Sequence, residues 1–260
     1  MLAAGALAIV WLAHYETGAG PAAAGRRVRV AAAADLQFAL SELREGFGRA
    51  HPEIRIEITY GSSGNFFAQL SNRAPFDLFL SADLEYPRRL VDLGLAENDR
   101  LFSYAVGHLV IWVPRSSPLA IEKLGAKVLL EPTIRKIAIA NPRHAPYGRA
   151  AEAALKGLGI YAQVKDRLVL GDNVAQTAQF VQTGAADAGL IALSLALAPT
   201  LREEGHYWEI PPTAYPPLEQ GGVILSWAED PDAARALRDF ILSGEGKAVL
   251  RRYGFHSPGD

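Results

Sequence analysis

Short apolar runs alternate along the chain with segments whose apolar residues recur every three to four positions. Residues 28–33 form a compact apolar run, as a buried strand requires. Beyond Asp35, the spacing of Leu36, Leu40, Leu43 and Phe47 predicts a helix. Ile54, Ile56, Ile58 and Tyr60 alternate with Glu53, Arg55, Glu57 and Thr59, the period of two of a half-buried strand. That strand runs into Gly61-Ser62-Ser63-Gly64-Asn65, and a helix is predicted over 66–70. A third strand, 76–80, leads through Ser81-Ala82-Asp83 into another helix. Alternation of this kind implies a parallel sheet with helices on both faces.

The pattern then restarts. Residues 106–113 read as one long apolar strand closed by Pro114, and 137–140 as a strand followed by the loop Asn141-Pro142-Arg143-His144-Ala145-Pro146-Tyr147-Gly148. A helix over 149–158 stops at Gly159. Asp172-Asn173 opens a helix through Val174, Ala178 and Val181 that stops at Gly184, and 188–195 is again apolar. After the proline-rich 211–217, residues 221–227 read as strand, Asp230-Pro231 starts a helix, and 245–253 makes the last one. The expected architecture is α/β, with two lobes that are each a mostly parallel sheet flanked by helices. Lobe 1 is expected to comprise 26–106 and 215–260, and lobe 2 to comprise 107–214, with crossings near 102–107 and 211–220.

Composition narrows the function. With 26 basic and 28 acidic residues the formal charge is −2, which argues against a nucleic-acid binder. The chain has no cysteine, which removes disulfides, thiolate metal sites, cysteine nucleophiles and a cysteine-linked lipid anchor. Residues 2–13 are apolar and uncharged, too short for a bilayer span of about 20 residues but suited to a signal peptide. Small residues over 20–25 suit cleavage, although no Lys or Arg precedes the apolar run. Residues 1–25 are therefore expected to be a signal peptide and the protein to be soluble and periplasmic. The plain alternative is an ordinary N-terminal helix.

Enzyme signatures are sparse. The six histidines (14, 51, 108, 144, 206 and 256) never fall four apart, and neither a phosphate-binding G-x-x-x-x-G-K-[ST] nor a strand-linked G-x-G-x-x-G occurs. Gly61-Ser62-Ser63-Gly64 lacks the spacing of a nucleophile elbow, so a serine hydrolase using Ser62 or Ser63 with His144 has no motif behind it. What remains is a set of strand-to-helix turns. Asp35, Ser63, Tyr147 and Val174 each fall at or just inside a predicted helix start, where free N–H groups and the helix dipole attract an anion without Arg or Lys. Ordinary capping explains each turn singly. Tyr147 also reads as a packing aromatic, and Val174 as the first core residue of its helix. The pattern reaches an anion site between two lobes and does not name the anion.

Several stretches resemble the periplasmic molybdate-binding proteins of ABC uptake systems. They are Ala31-Ala32-Ala33-Ala34-Asp35-Leu36, Gly61-Ser62-Ser63-Gly64-Asn65, Ala74-Pro75-Phe76-Asp77-Leu78-Phe79-Leu80-Ser81-Ala82-Asp83 and Arg252-Tyr253-Gly254-Phe255. Ala138-Ile139-Ala140-Asn141-Pro142 through Ala145-Pro146-Tyr147-Gly148, and Gly171-Asp172-Asn173-Val174, join them in order from Val28 to Phe255. The resemblance implies a two-lobed type II binding-protein fold, without catalysis or cofactor. A tetrahedral oxyanion, molybdate or tungstate, would be held by hydroxyls and main-chain N–H groups. The implied partners are the membrane permease and ATPase subunits of an importer, with the protein itself a monomer.

Ser63 then matches a hydroxyl ligand, while Tyr147 and Val174 match positions that bind through their N–H groups. Some relatives carry Ser where this chain has Asp35, and some carry Tyr where it has Ala192. A carboxylate about 4 Å from a dianion costs roughly 4 kcal/mol per charge pair at an effective dielectric of about 20. Asp35 must therefore cap its own turn, carry a proton, or face a ligand that carries one, such as hydrogen phosphate. Two crossings between lobes further imply hinge closure on the anion.

Overall fold

The computed structural model describes residues 25–259; the expected signal peptide, Gly25 excepted, lies outside the described residues. The chain opens with β1 (Arg26–Ala33), α1 (Gln37–Ala50), β2 (Ile54–Gly61), α2 (Ser63–Ser71), β3 (Leu78–Ser81), α3 (Glu85–Asp92) and β4 (Ala96–Gly107). A second series follows: β5 (Leu109–Pro114), α4 (Ile121–Leu124), β6 (Ile137–Ala140), α5 (Pro146–Gly157), α6 (Tyr161–Val164), β7 (Leu168–Gly171) and α7 (Val174–Gln182). It continues through β8 (Ala188–Ala192), α8 (Leu193–Ala196), α9 (Pro199–Glu204) and β9 (Gly205–Glu209). The last elements are β10 (Leu218–Leu225), α10 (Pro231–Leu242) and α11 (Gly244–Arg252).

Two five-stranded sheets result, ordered β2-β1-β3-β10-β4 and β7-β6-β8-β5-β9. Both are mixed. In the first, β1 pairs parallel with β2 and β3, whereas β10 runs antiparallel to β3 and β4. In the second, β6 pairs parallel with β7 and β8, whereas β5 runs antiparallel to β8 and β9. The reversed strand of each sheet is the one that enters it from the other sheet. Residue 108 joins β4 to β5, and residues 210–217 join β9 to β10. The expected single strand over 106–113 is thus two strands in different sheets, parted at His108.

The strands that periodicity did not reveal, β4, β7 and β9, lie at sheet edges, where one side meets solvent and the apolar signal thins. Buried β1 and β6 carry the clearest runs: Val28, Val30 and Ala31 are fully buried, as are Ile137 and Ala138. Register aligns Ala33 with Gly61 and Ala140 with Gly171, so the turns leaving neighbouring strands emerge at one level. Such turns at the carboxyl ends of parallel strands are where open α/β sheets place ligands.

One buried carboxylate ties the first sheet together. Asp77, fully buried, accepts from the Arg29 backbone N–H at 2.7 Å, the Arg29 guanidinium at 3.0 Å and the Glu229 N–H at 2.8 Å. Burial acts to raise its pKa, but the bonds from Arg29 and the Glu229 and Arg29 amides outweigh it and hold the group below its ordinary value. Its contribution is therefore complete above the ordinary carboxylate range and is lost as pH falls through the lower folded value. Asp77→Ala should lower the unfolding free energy by about 3 kcal/mol at neutral pH, because Arg29 and two amides lose their acceptor. Urea unfolding checks this, and a loss shrinking in acid would mark the carboxylate as the cause.

Candidate functional site

Five strand-to-helix turns converge between the sheets. Those after β1, β2 and β3 supply Ala33–Asp35, Gly61–Ser63 and Ala82; those after β6 and β7 supply Ala145–Tyr147 and Asn173–Val174. They line a small, nearly filled cavity of about 10 Å³, and all four positions expected from the sequence, Asp35, Ser63, Tyr147 and Val174, lie on its lining. Ala192, at the end of β8, is fully buried and is not among the lining residues.

Capping decides which donors remain for a ligand. Asn173 caps α7 by accepting from Ala175 and Gln176 at 3.0 Å, which leaves Val174, first residue of the helix, with no intrahelical partner for its N–H. Ser62 caps α2 through the Asn65 N–H at 3.4 Å, leaving Ser63 in the same position. In α5 the first residue is Pro146, which has no N–H, so the first available donor is Tyr147. Each helix also presents the positive end of its dipole. Helices α2 and α5 start earlier than periodicity predicted, at Ser63 and Pro146, which is why Ser63 and Tyr147 fall in first turns.

Ser63 is further prepared. Its Oγ accepts from the Ala82 N–H at 3.0 Å, so the hydroxyl proton is left to donate elsewhere. Among the described residues, neither Lys nor Arg lines the cavity, and Asp35 is its one ionisable carboxylate.

Asp35 is 1 % exposed and sits in a polar network that sequence reading missed. Its Oδ2 accepts from Gln220 Nε2, while its Oδ1 has no hydrogen-bond partner among the described residues. The Gln220 Oε1 lies 2.9 Å from the Tyr104 hydroxyl, which is also 2.9 Å from the Ser81 carbonyl. Burial drives the Asp35 carboxyl up to about 6, although Gln220, Tyr147 and the amides of Asp35 and Leu36 favour its charged form. Burial, with the Asp35 charge behind it, keeps the Tyr104 and Tyr147 hydroxyls protonated. The signal in the sequence was Gln220 itself, a lone amide within the apolar run of β10.

Several contacts tie the two sides of the cavity. The Gly64 N–H donates to the His144 carbonyl at 2.8 Å, and Asn65 Nδ2 donates to Asp172 at 3.2 Å. Arg149 reaches Asp83 at 2.5 Å and the Tyr86 hydroxyl at 3.1 Å, and Ser194 Oγ donates to the Asp35 carbonyl at 2.7 Å. Ser62 Oγ lies 2.9 Å from His144 Nδ1, so the serine and histidine weighed as a catalytic pair do meet. Here Ser62 also caps α2, and its bond to His144 adds to the ties across the cleft.

Two mixed sheets facing each other across a donor-lined cavity define a periplasmic-type solute-binding protein. The chain belongs to the bacterial extracellular solute-binding protein family, whose model matches residues 28–256. It is 36% identical over 234 residues to the molybdate-binding protein ModA of Azotobacter vinelandii, covering 90% of this chain and 91% of that protein. It is also 36% identical over 200 residues to the ModA of Rhodobacter capsulatus, 77% of each chain. The solved periplasmic molybdate-binding protein of Azotobacter vinelandii superposes with a TM-score of 0.81 at 32% identity, covering 89% of this chain and 99% of that one. Membership places the protein among binding proteins, not enzymes.

Gly64 makes the closest approach possible. A Cβ there would lie 2.5 Å from the His144 carbonyl and 2.6 Å from the Tyr86 hydroxyl. Gly64→Ala should therefore hold the two sides apart, giving a larger radius of gyration than wild type under identical conditions. Small-angle scattering checks this, and equal radii would show that the contact does not limit their approach.

Proposed function

We propose that this protein captures molybdate or tungstate outside the cytoplasm and delivers it to the permease and ATPase subunits of an ABC importer. The observation that carries the reading is a small cavity lined from both sides by uncapped N–H groups and hydroxyls, without a cation. Such a site suits a fully deprotonated tetrahedral oxyanion, whose oxygens only accept hydrogen bonds. The names of the relatives point to the same ligand. In this reading Ser63 donates its hydroxyl and N–H, Tyr147 and Val174 donate their N–H groups, and Asp35 flanks the anion.

The proposal extends to the working parts. Residues 26–106 with 215–260 form one lobe and 107–214 the other, and the monomer closes when the anion bridges Ser63 on one lobe to Tyr147 and Val174 on the other. A ligand bound on both sides favours the closed form by its differential affinity for it. The importer then reads the closed arrangement of surfaces. A second reading keeps the fold and changes the ligand: the unpartnered Oδ1 of Asp35 is an acceptor, which suits an oxyanion that retains a proton, such as hydrogen phosphate.

Calorimetry on the purified protein should show saturable binding of molybdate and tungstate, with the melting temperature rising with ligand by mass action. Failure of both anions to bind at micromolar concentration would end the proposal, and phosphate outcompeting molybdate would favour the second reading. Ser63→Ala should weaken molybdate binding by about 1–3 kcal/mol, the worth of a hydrogen bond to a charged group. It should also cost some stability, because the Ala82 N–H loses its acceptor.

A further inference from the structure

Asp35 lies on the lining of a cavity fitted for anions, and the two oxygens of its buried carboxylate differ in what they can do. Oδ2 is committed. Gln220 turns its Oε1 toward the Tyr104 hydroxyl, which leaves its amide N–H to point at Oδ2, and an N–H can only donate. Oδ1 is buried without a partner. With Oδ2 accepting from Gln220, a proton arriving on the carboxyl goes to Oδ1, which no hydrogen bond from the described residues occupies.

We propose that the protein binds its oxyanion together with one proton, carried on Oδ1 of Asp35 and donated to an oxygen of the anion. This rests on the anion-binding reading above and adds a second, titrating ligand to it. Without the proton, Asp35 would place a third negative charge beside a dianion in a cavity that has no cation. With it, the carboxyl becomes a donor like Ser63.

The surroundings permit the change. The groups that face Asp35 are Gln220 from β10, the Tyr147 hydroxyl from α5, the Tyr104 hydroxyl beyond Gln220 on β4, and Ser194 from α8 at its carbonyl. Both phenols stay neutral through this range. Ser63 on α2 and Val174 on α7 bring no titrating side chain. The carboxyl already titrates at about 6 before any anion adds its field, and a bound dianion moves it higher.

The linkage has a definite sign. Below about pH 6 the proton is already present and affinity is independent of pH. Above it, each anion must bring a proton from solution, so affinity falls about tenfold per pH unit until the carboxyl of the bound form itself ionises. Molybdate is fully deprotonated over this upper range, so the titration belongs to the protein.

The test is calorimetry of wild-type protein with molybdate in two buffers of different ionisation enthalpy near neutral pH, repeated across the range from mild acid to mild base. The expected result is uptake of close to one proton per anion and an affinity falling about tenfold per unit on the alkaline side. Asp35→Asn, which keeps the acceptor for Gln220 but cannot titrate, should take up no proton and bind with little pH dependence. Molybdate binding by wild type with no proton uptake overturns the inference and leaves the anion-binding reading standing, and it does so whether or not the variant folds. Proton uptake that persists in Asp35→Asn also overturns it. Absence of molybdate binding at every pH overturns both.

Discussion

The organising constraint is that an anion site without a cation has to be assembled from the backbone. A single N–H is a weak partner for a buried charge, and only the first turns of helices present several of them unpaired with an aligned dipole behind them. Several such turns must therefore point at one small volume. Parallel strands of equal register achieve this within a sheet, because each is followed by a helix starting at the same height, as Ala33 beside Gly61 and Ala140 beside Gly171 show. Two sheets whose turns at the carboxyl ends of their parallel strands converge enclose the volume. The cap residues fit the same constraint: Ser62 and Asn173 satisfy deeper amides and leave the first ones, Ser63 and Val174, without intrahelical partners.

Crossing strands give the enclosure its second property. Because β5 and β10 enter each sheet from the opposite one, they run against the other strands and start near the cavity, at Leu109 and Leu218. A polar residue near the start of β10 is thus placed beside the turns that line the site. Gln220 uses that position to fix Asp35 on one side and Tyr104 on the other. Gly107, the last residue of β4, marks how tight the crossing is: a Cβ there would fall 2.3 Å from the Tyr147 hydroxyl.

What the sequence disclosed follows from the same geometry. Strands buried on both faces announce themselves, and so do the turns after them, which is why Asp35, Ser63, Tyr147 and Val174 stand out in the sequence as candidates at helix starts. Helix stops were equally plain, with Gly159 at φ +72° and Gly184 at φ +74°. The edge strands β7 and β9 were not, since most of their residues are only partly buried. The run over 106–113 hid a break, because an apolar pattern records burial and says nothing about which sheet does the burying. Long-range polar pairs such as Gln220 with Asp35 and Arg149 with Asp83 were invisible for the simplest reason: periodicity is local and these residues are far apart in the chain.

Closure under the proposed reading also limits how strong the ties across the cleft can be. Asn65 meets Asp172 at the surface, whereas Arg149 binds Asp83 where the two side chains are 38% and 15% exposed. An exposed polar pair such as Asn65 with Asp172 is worth about 0–1 kcal/mol. Ties much stronger than this would close the cleft with or without an anion and obstruct its entry. Weak ties instead leave the open and closed forms close in free energy, so that the differential affinity of the ligand decides between them. That poise needs a small residue at Gly64, where the backbones of the two sides meet, more than it needs any strong bond. Proton and anion then act in the same direction, since a neutral Asp35 removes the one repulsive charge that the closed cavity would otherwise contain.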